Sequence, residues 1–86
     1  MSPRLPRVSG KDTLGTLMRA GFILMRSKGS HHFVIDPENT TRWATVPVHG
    51  NEILPPKTLK SILLSTKLTL NEFIFYKQIF NFSPSP

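Results

Sequence analysis

The 86-residue chain contains no cysteine. That excludes a disulfide scaffold, a thiolate nucleophile and every cysteine-ligated zinc or iron–sulfur site, and a reducing, cytoplasmic setting is expected. Acidic residues are scarce as well: five Asp and Glu stand against eleven Lys and Arg, for a net charge of +6. A polyanion is therefore the first partner to consider. Long apolar runs are missing. Phe22-Ile23-Leu24-Met25 and Ile62-Leu63-Leu64 are broken at once by polar residues, far short of the ~20 apolar residues a membrane span requires. The opening MSPRLPR has the charge of a signal peptide's start but no apolar stretch after it, so neither export nor a membrane partner is expected. Length is the last shortage. A chain of this size buries roughly 60–65 % of its surface, which leaves a thin core and little room for a multi-part catalytic apparatus. Any chemistry has to be economical.

The positive charge is concentrated. Before residue 31, Arg4, Arg7, Lys11, Arg19, Arg26 and Lys28 face Asp12 alone. A basic N-terminal third fits a nucleic acid, an acidic protein partner, or simply a soluble surface.

Residues 1–7, with Pro3 and Pro6 among arginines, read as an irregular basic lead-in. Ser9 then stands three residues before Asp12, the spacing with which a hydroxyl and an acid satisfy free N–H groups at a helix start. Leu14, Leu17 and Met18 follow as an apolar stripe, and Gly21 supplies a stop. Phe22 to Arg26 reads as a first strand, Ser27-Lys28-Gly29 as a tight turn, Ser30 to Ile35 as a second strand, and Arg42 to Val48 as a third. Short turns between them predict an antiparallel meander. Pro55-Pro56 suits the first turn of a second helix, whose stripe is Leu59, Ile62 and Leu63. Thr69 and Glu72 repeat the capping spacing ahead of a short last helix to about Phe80, and residues 81–86 read as a frayed tail. The expected architecture is α+β: helix, three-stranded antiparallel meander, helix, with a short extra C-terminal helix. It occupies residues 8–80 of a single domain, with the helices on one sheet face.

Three histidines are the candidates for chemistry: His31 and His32 at the start of the second strand, His49 after the third. Imidazole is the side chain suited to proton transfer near neutrality. Neighbours on a strand point to opposite faces, so only one of His31 and His32 can face a given site. A histidine on a sheet is more often a hydrogen-bonded structural residue, and three scattered histidines without clustered carboxylates make a poor metal set. Phe33 and Trp43 have the right chemistry to stack bases, but strand aromatics in so small a domain are expected in the core. Ser30 beside His31 is only a sequence adjacency, not a nucleophile–base pair. The turn Lys28-Gly29-Ser30-His31-His32, with Arg26 just before it, gathers cation, flexible backbone, hydroxyl and imidazole. That combination suits a phosphodiester better than a small apolar ligand.

These segments resemble the HicA toxins, small mRNA interferases paired with HicB antitoxins. The resemblance is carried by Ser9-Gly10-Lys11, Leu17 to Phe22, Arg26 to His32, Val46-Pro47-Val48-His49-Gly50 and Pro55 to Leu63, in the family's order, and covers about residues 8 to 73. It implies a fold like a double-stranded-RNA-binding domain and an endoribonuclease that blocks translation by cutting mRNA. It also implies neutralisation by a HicB-like antitoxin, and a toxin that is monomeric alone. The family's catalytic histidine falls on His31, with His32 as second candidate and His49 as an assisting one. Gly29 and Ser30 come with the motif, and Arg26 and Lys28 are added as phosphate contacts. The implied mechanism is metal-independent transesterification with no cofactor. The rival is a non-catalytic RNA-binding module of the same fold. Lys57 stands where the family commonly has Gly, Leu64 to Leu68 departs from the usual Ala-Gly-Leu, and the aromatic stretch beyond Phe73 exceeds the usual length.

Overall fold

Ser9 opens the first helix through the predicted reciprocal cap. Its hydroxyl accepts from the Asp12 N–H at 3.0 Å, and its own N–H donates to the Asp12 carboxylate at 3.5 Å. The computed structural model describes residues 4–79. Their element order is α1 (Gly10–Arg19), β1 (Ile23–Lys28), β2 (His31–Ile35), β3 (Trp43–Pro47), α2 (Pro56–Thr66) and α3 (Leu70–Ile79). Residues 4–7 form no helix or strand, while residues 1–3 of the expected lead-in, Phe80 and the expected frayed tail lie outside the described residues.

The three strands form an antiparallel sheet in the order β1-β2-β3. An irregularity between Leu24 and Arg26 adds one residue to β1, the mark of a bulge on an edge strand. The strand starts one residue later than its composition suggested, because Phe22 turns into the core instead of joining the ladder. Helix α2 begins with Pro55 at the cap and Pro56 in the first turn, without a side-chain cap. Helix α3 has the second reciprocal cap. Glu72 N–H donates to the Thr69 hydroxyl at 3.0 Å, and Thr69 N–H donates to the Glu72 carboxylate at 2.8 Å.

All three helices gather on one side of the sheet. Val34, Ala44 and Val46 point to that side and meet Leu17 of α1, Leu59, Ile62 and Leu63 of α2, and Phe73 of α3. The predicted stripe of α1 is rotated: Leu14 is half-buried and Met18 is 49 % exposed, while Thr13 and Thr16 are fully buried beside Leu17. Each threonine hydroxyl donates to a backbone carbonyl one turn earlier, Thr13 to Ser9 at 2.9 Å and Thr16 to Asp12 at 2.8 Å. Satisfied in this way, a threonine presents its methyl group and buries like a small apolar residue. Helix α3 lies along α1, and Arg19 Nε donates to the Tyr76 carbonyl at 3.0 Å.

Arg42 ties the far end of the sheet together. Its Nε donates to the Thr66 carbonyl at the end of α2 at 2.7 Å, its Nη1 pairs with Asp36 at 3.0 Å, and its guanidinium carbon lies 5.2 Å from the Phe22 ring centre. At the near end, the first turn of α1 rests against the end of β3. A Cβ added at Gly10 would overlap the Pro47 carbonyl oxygen and stand 2.9 Å from its carbonyl carbon.

No described element covers the second sheet face. Phe33 is half-buried there and Trp43 is 45 % exposed, so the two strand aromatics are not core residues as composition suggested. The three helices fill one side only, and the core they close is already filled by Val34, Ala44 and Val46.

Candidate active site

The turn between β1 and β2 is two residues long, Gly29 and Ser30. Gly29 has φ +58° and Ser30 is not in the positive-φ region, the arrangement that favours glycine at the first central position of a two-residue hairpin. This turn closes the hairpin so that Lys28 pairs with His31.

Register then decides which side chains share a face. Directly opposed residues in antiparallel strands project to the same side, and Val34, opposite Ala44, points into the core. Counting by twos, His32, opposite Ser27 and Val46, faces the helix side. His31 faces the uncovered side with Lys28 on one flank and Pro47 on the other. The next rung on that side is Arg26, Phe33 and Thr45, and Ile35 with Trp43 lies one pleat beyond.

The His31 side chain is exposed and makes no hydrogen bond to any described residue. His32 is half-buried, and its Nδ1 donates to the Ser30 carbonyl at 3.0 Å. A carbonyl only accepts, so the bond puts a proton on Nδ1. The same carbonyl accepts the Val48 N–H at 2.8 Å. His32 and Val48 therefore brace the turn that carries His31.

His49 lies two residues beyond Pro47, in a turn closed by the bond from Glu52 N–H to its carbonyl at 3.0 Å. It is exposed and lines a shallow hollow with Glu52, Ile53 and Pro55, which neither His31 nor His32 borders. The sheet thus brings together Arg26, Lys28, the Gly29-Ser30 turn and His31, keeps His32 on the opposite face, and leaves His49 at the strand end. Among the described residues no group of three His, Asp or Glu side chains is arranged as a metal-ligand set.

The electrostatics of this face are one-sided. The strands ILMRSK, HHFVI and WATVP contain no acid, and Asp36, just past β2, is paired with Arg42. The basic N-terminal third is not one surface, however. Lys11 and Arg19 border a hollow shared by α1 and Lys77 of α3, whereas Arg26 and Lys28 belong to the His31 face. Helix α1 lies on the covered side of the sheet, so the chain reversal at Gly21 separates charges that are close in sequence.

Phe33 and Trp43 join this face unannounced by composition. Phe33 shares its parity with His31 on β2, and Trp43 reaches the same side only through the β2–β3 register that sets it opposite Ile35. The ring centres lie 5.9 Å apart with planes inclined by 41°, and the Arg26 guanidinium carbon lies 5.3 Å from the Phe33 ring centre.

A family model described as the HicA toxin of bacterial toxin-antitoxin systems matches residues 10–68. The matched stretch takes in α1, the whole sheet and α2, and stops before α3. No curated protein matches the chain.

Proposed function

The chain belongs to the HicA toxin family, whose model spans residues 10–68 of its 86, and on that premise we propose that it is an RNA-cleaving toxin with His31 as general base. One observation carries the reading: His31 projects, without a hydrogen-bond partner among the described residues, from the uncovered sheet face beside Lys28, with Arg26 on the next rung. An imidazole free to take a proton, flanked by two cations and no acid, matches what a phosphodiester needs.

In this mechanism the unprotonated His31 ring removes the proton from a ribose 2′-OH. The 2′-oxygen attacks the adjacent phosphorus, the bond from phosphorus to the 5′-oxygen breaks, and the products are a 2′,3′-cyclic phosphate and a 5′-OH. Lys28 and Arg26 offset the charge that builds on the non-bridging oxygens, and the exposed Gly29 of the turn gives the phosphate close access to the backbone. The leaving oxygen takes its proton from His49 if that side chain reaches it, and from water otherwise. His32 keeps the turn in shape through the Ser30 carbonyl. One positioned base contributes roughly 10²–10⁴-fold. An antitoxin of the HicB type would silence this chemistry by covering the same face.

The test is cleavage of a labelled RNA by the purified chain. His31→Ala is expected to lower the rate by roughly 10²–10⁴-fold, His32→Ala to weaken the turn with a smaller loss, and a chelator to change nothing. Full cleavage by His31→Ala with loss in His32→Ala would move the base one residue along. Tight RNA binding with no cleavage by the unaltered protein would favour the silent RNA-binding module.

A further inference from the structure

Arg26, Phe33 and Trp43 come from three different strands and form one band across the uncovered face. Phe33 is two residues from His31 on the same side of β2, about 6.8 Å along the strand, and Trp43 lies one pleat farther, on β3. Nothing in the cleavage chemistry above uses either ring. Yet Trp43 exposes nearly half of its surface, on the same face as His31. Within the band the Arg26 guanidinium lies over the Phe33 ring.

The chemistry of the band narrows its occupant. An apolar protein surface would cover the rings but desolvate Arg26 and Lys28 without a counter-charge. An acidic peptide would answer the cations and leave the rings without partners. A single-stranded nucleic acid answers both, because its phosphates pair with the cations while its bases stack on aromatic rings and guanidinium planes. A duplex keeps its base faces inside its own stack and has nothing to offer Trp43.

We propose that the Arg26–Phe33–Trp43 band is a base-stacking platform that selects single-stranded RNA and holds the nucleotides next to the bond cut at His31. The proposal rests on the reading of this face as an RNA-cleaving site, and it adds the form of the substrate and the residues that set it. Trp43 and Phe33 take bases, and Arg26 spans the gap between a base and a phosphate.

Trp43 is the chain's sole tryptophan, so its fluorescence reports on the platform directly. The full chain is titrated with a 2′-O-methyl RNA of about eight nucleotides, within the usual site size of such surfaces. The blocked 2′-oxygen cannot attack, so binding is read without turnover. The oligonucleotide is offered single-stranded and annealed to its complement. Saturable quenching by the single strand is expected, with weaker binding of the duplex. Trp43→Ala should lower single-strand affinity, read by anisotropy of a labelled oligonucleotide, by about 5- to 150-fold, the range for losing one stacked base. Trp43→Phe should recover most of that loss. Unchanged affinity in Trp43→Ala, duplex binding as tight as single-strand binding, or equal quenching by an oligoglutamate of the same charge would each overturn the platform. The last would make the face a docking surface for an acidic protein. Cleavage of unmodified RNA, measured in parallel, separates the two readings. Quenching and single-strand preference without cleavage would remove the nuclease and keep the platform, whereas cleavage by a Trp43→Ala variant of unaltered affinity would do the reverse.

Discussion

Gly10 stands where the first turn of α1 meets the end of β3, and replacing it with alanine tests whether that approach is as close as it looks. The added Cβ would overlap the Pro47 carbonyl oxygen and lie 2.9 Å from the Pro47 carbonyl carbon and 3.1 Å from Val48 Cα. Carbon atoms pack at about 3.5–4.0 Å and the overlapped oxygen demands the larger shift, so helix and strand have to separate by roughly 1 Å or more. Neither side is free to give way. Val8 is held by the Leu54 N–H at 2.8 Å and Ser9 pairs with Ile53, while Val48 is held by the Ser30 carbonyl at 2.8 Å. Overpacking of this kind costs about 1–3 kcal/mol, against at most ~1 kcal/mol gained by replacing glycine with alanine in a helix. A net loss of about 1–2 kcal/mol is expected, and with a urea slope near 1 kcal/mol/M for so small a domain the midpoint falls by about 1–2 M. Gly15 is the matched control on the same helix. A Cβ there meets only the tip of the Arg19 side chain, at 3.4 Å, so Gly15→Ala should raise the midpoint by up to ~1 M. The displacement in Gly10→Ala also pulls on the bond from Val48 to Ser30, whose carbonyl holds His32, so RNA cleavage should fall along with stability. A Gly10→Ala protein as stable as the unaltered chain, or a Gly15→Ala protein equally damaged, would refute the reasoning.

Two further outcomes bear on α3. Phe73 is fully buried although it lies beyond the family-matched stretch, so Phe73→Ala should destabilise the fold by about 3–5 kcal/mol in urea unfolding, whereas a loss under ~1 kcal/mol would mean that α3 is an appendage. The second concerns acid. The Thr69 N–H above all, then the Thr69 hydroxyl, and to a lesser degree the charge of Arg42 hold the Glu72 carboxyl below its ordinary value of 4.5. A carboxylate depressed in the folded state stabilises it fully above the unfolded pKa and loses that contribution as pH falls through the folded pKa. Glu72→Gln should therefore melt below the unaltered protein at pH 7, and the gap should close progressively as pH drops below 4.5; a gap that is constant from pH 7 to pH 3 would contradict the cap's electrostatic origin.

The family match ends at residue 68, yet Phe73 beyond it belongs to the core and the Tyr76 carbonyl holds Arg19. The extension therefore uses a basic residue of α1 as a structural anchor. Arg19 is thereby tied to α3, whereas Arg26 and Lys28 lie on the His31 face.

Local chemistry alone determined the element order. Ser9 with Asp12 and Thr69 with Glu72 mark helix starts, because a hydroxyl and an acid three residues apart satisfy N–H groups that a helix leaves open. Gly21, Gly29 and the Pro55-Pro56 pair mark stops and turns, because their backbones permit or forbid particular angles. The concentration of charge, turn and imidazole from Arg26 to His32 was equally plain, since it needs no partner from elsewhere in the chain. Beyond that point, sequence could only pose alternatives. A strand has a period of two, so whether His31 or His32 meets solvent depends on pairing Val34 with Ala44, a register that no local signal specifies. The same parity carried Phe33 and Trp43 out of the expected core and onto the His31 face. Only the packing of three helices on one side of the sheet decided which side was left open, and so divided the basic N-terminal third between two surfaces.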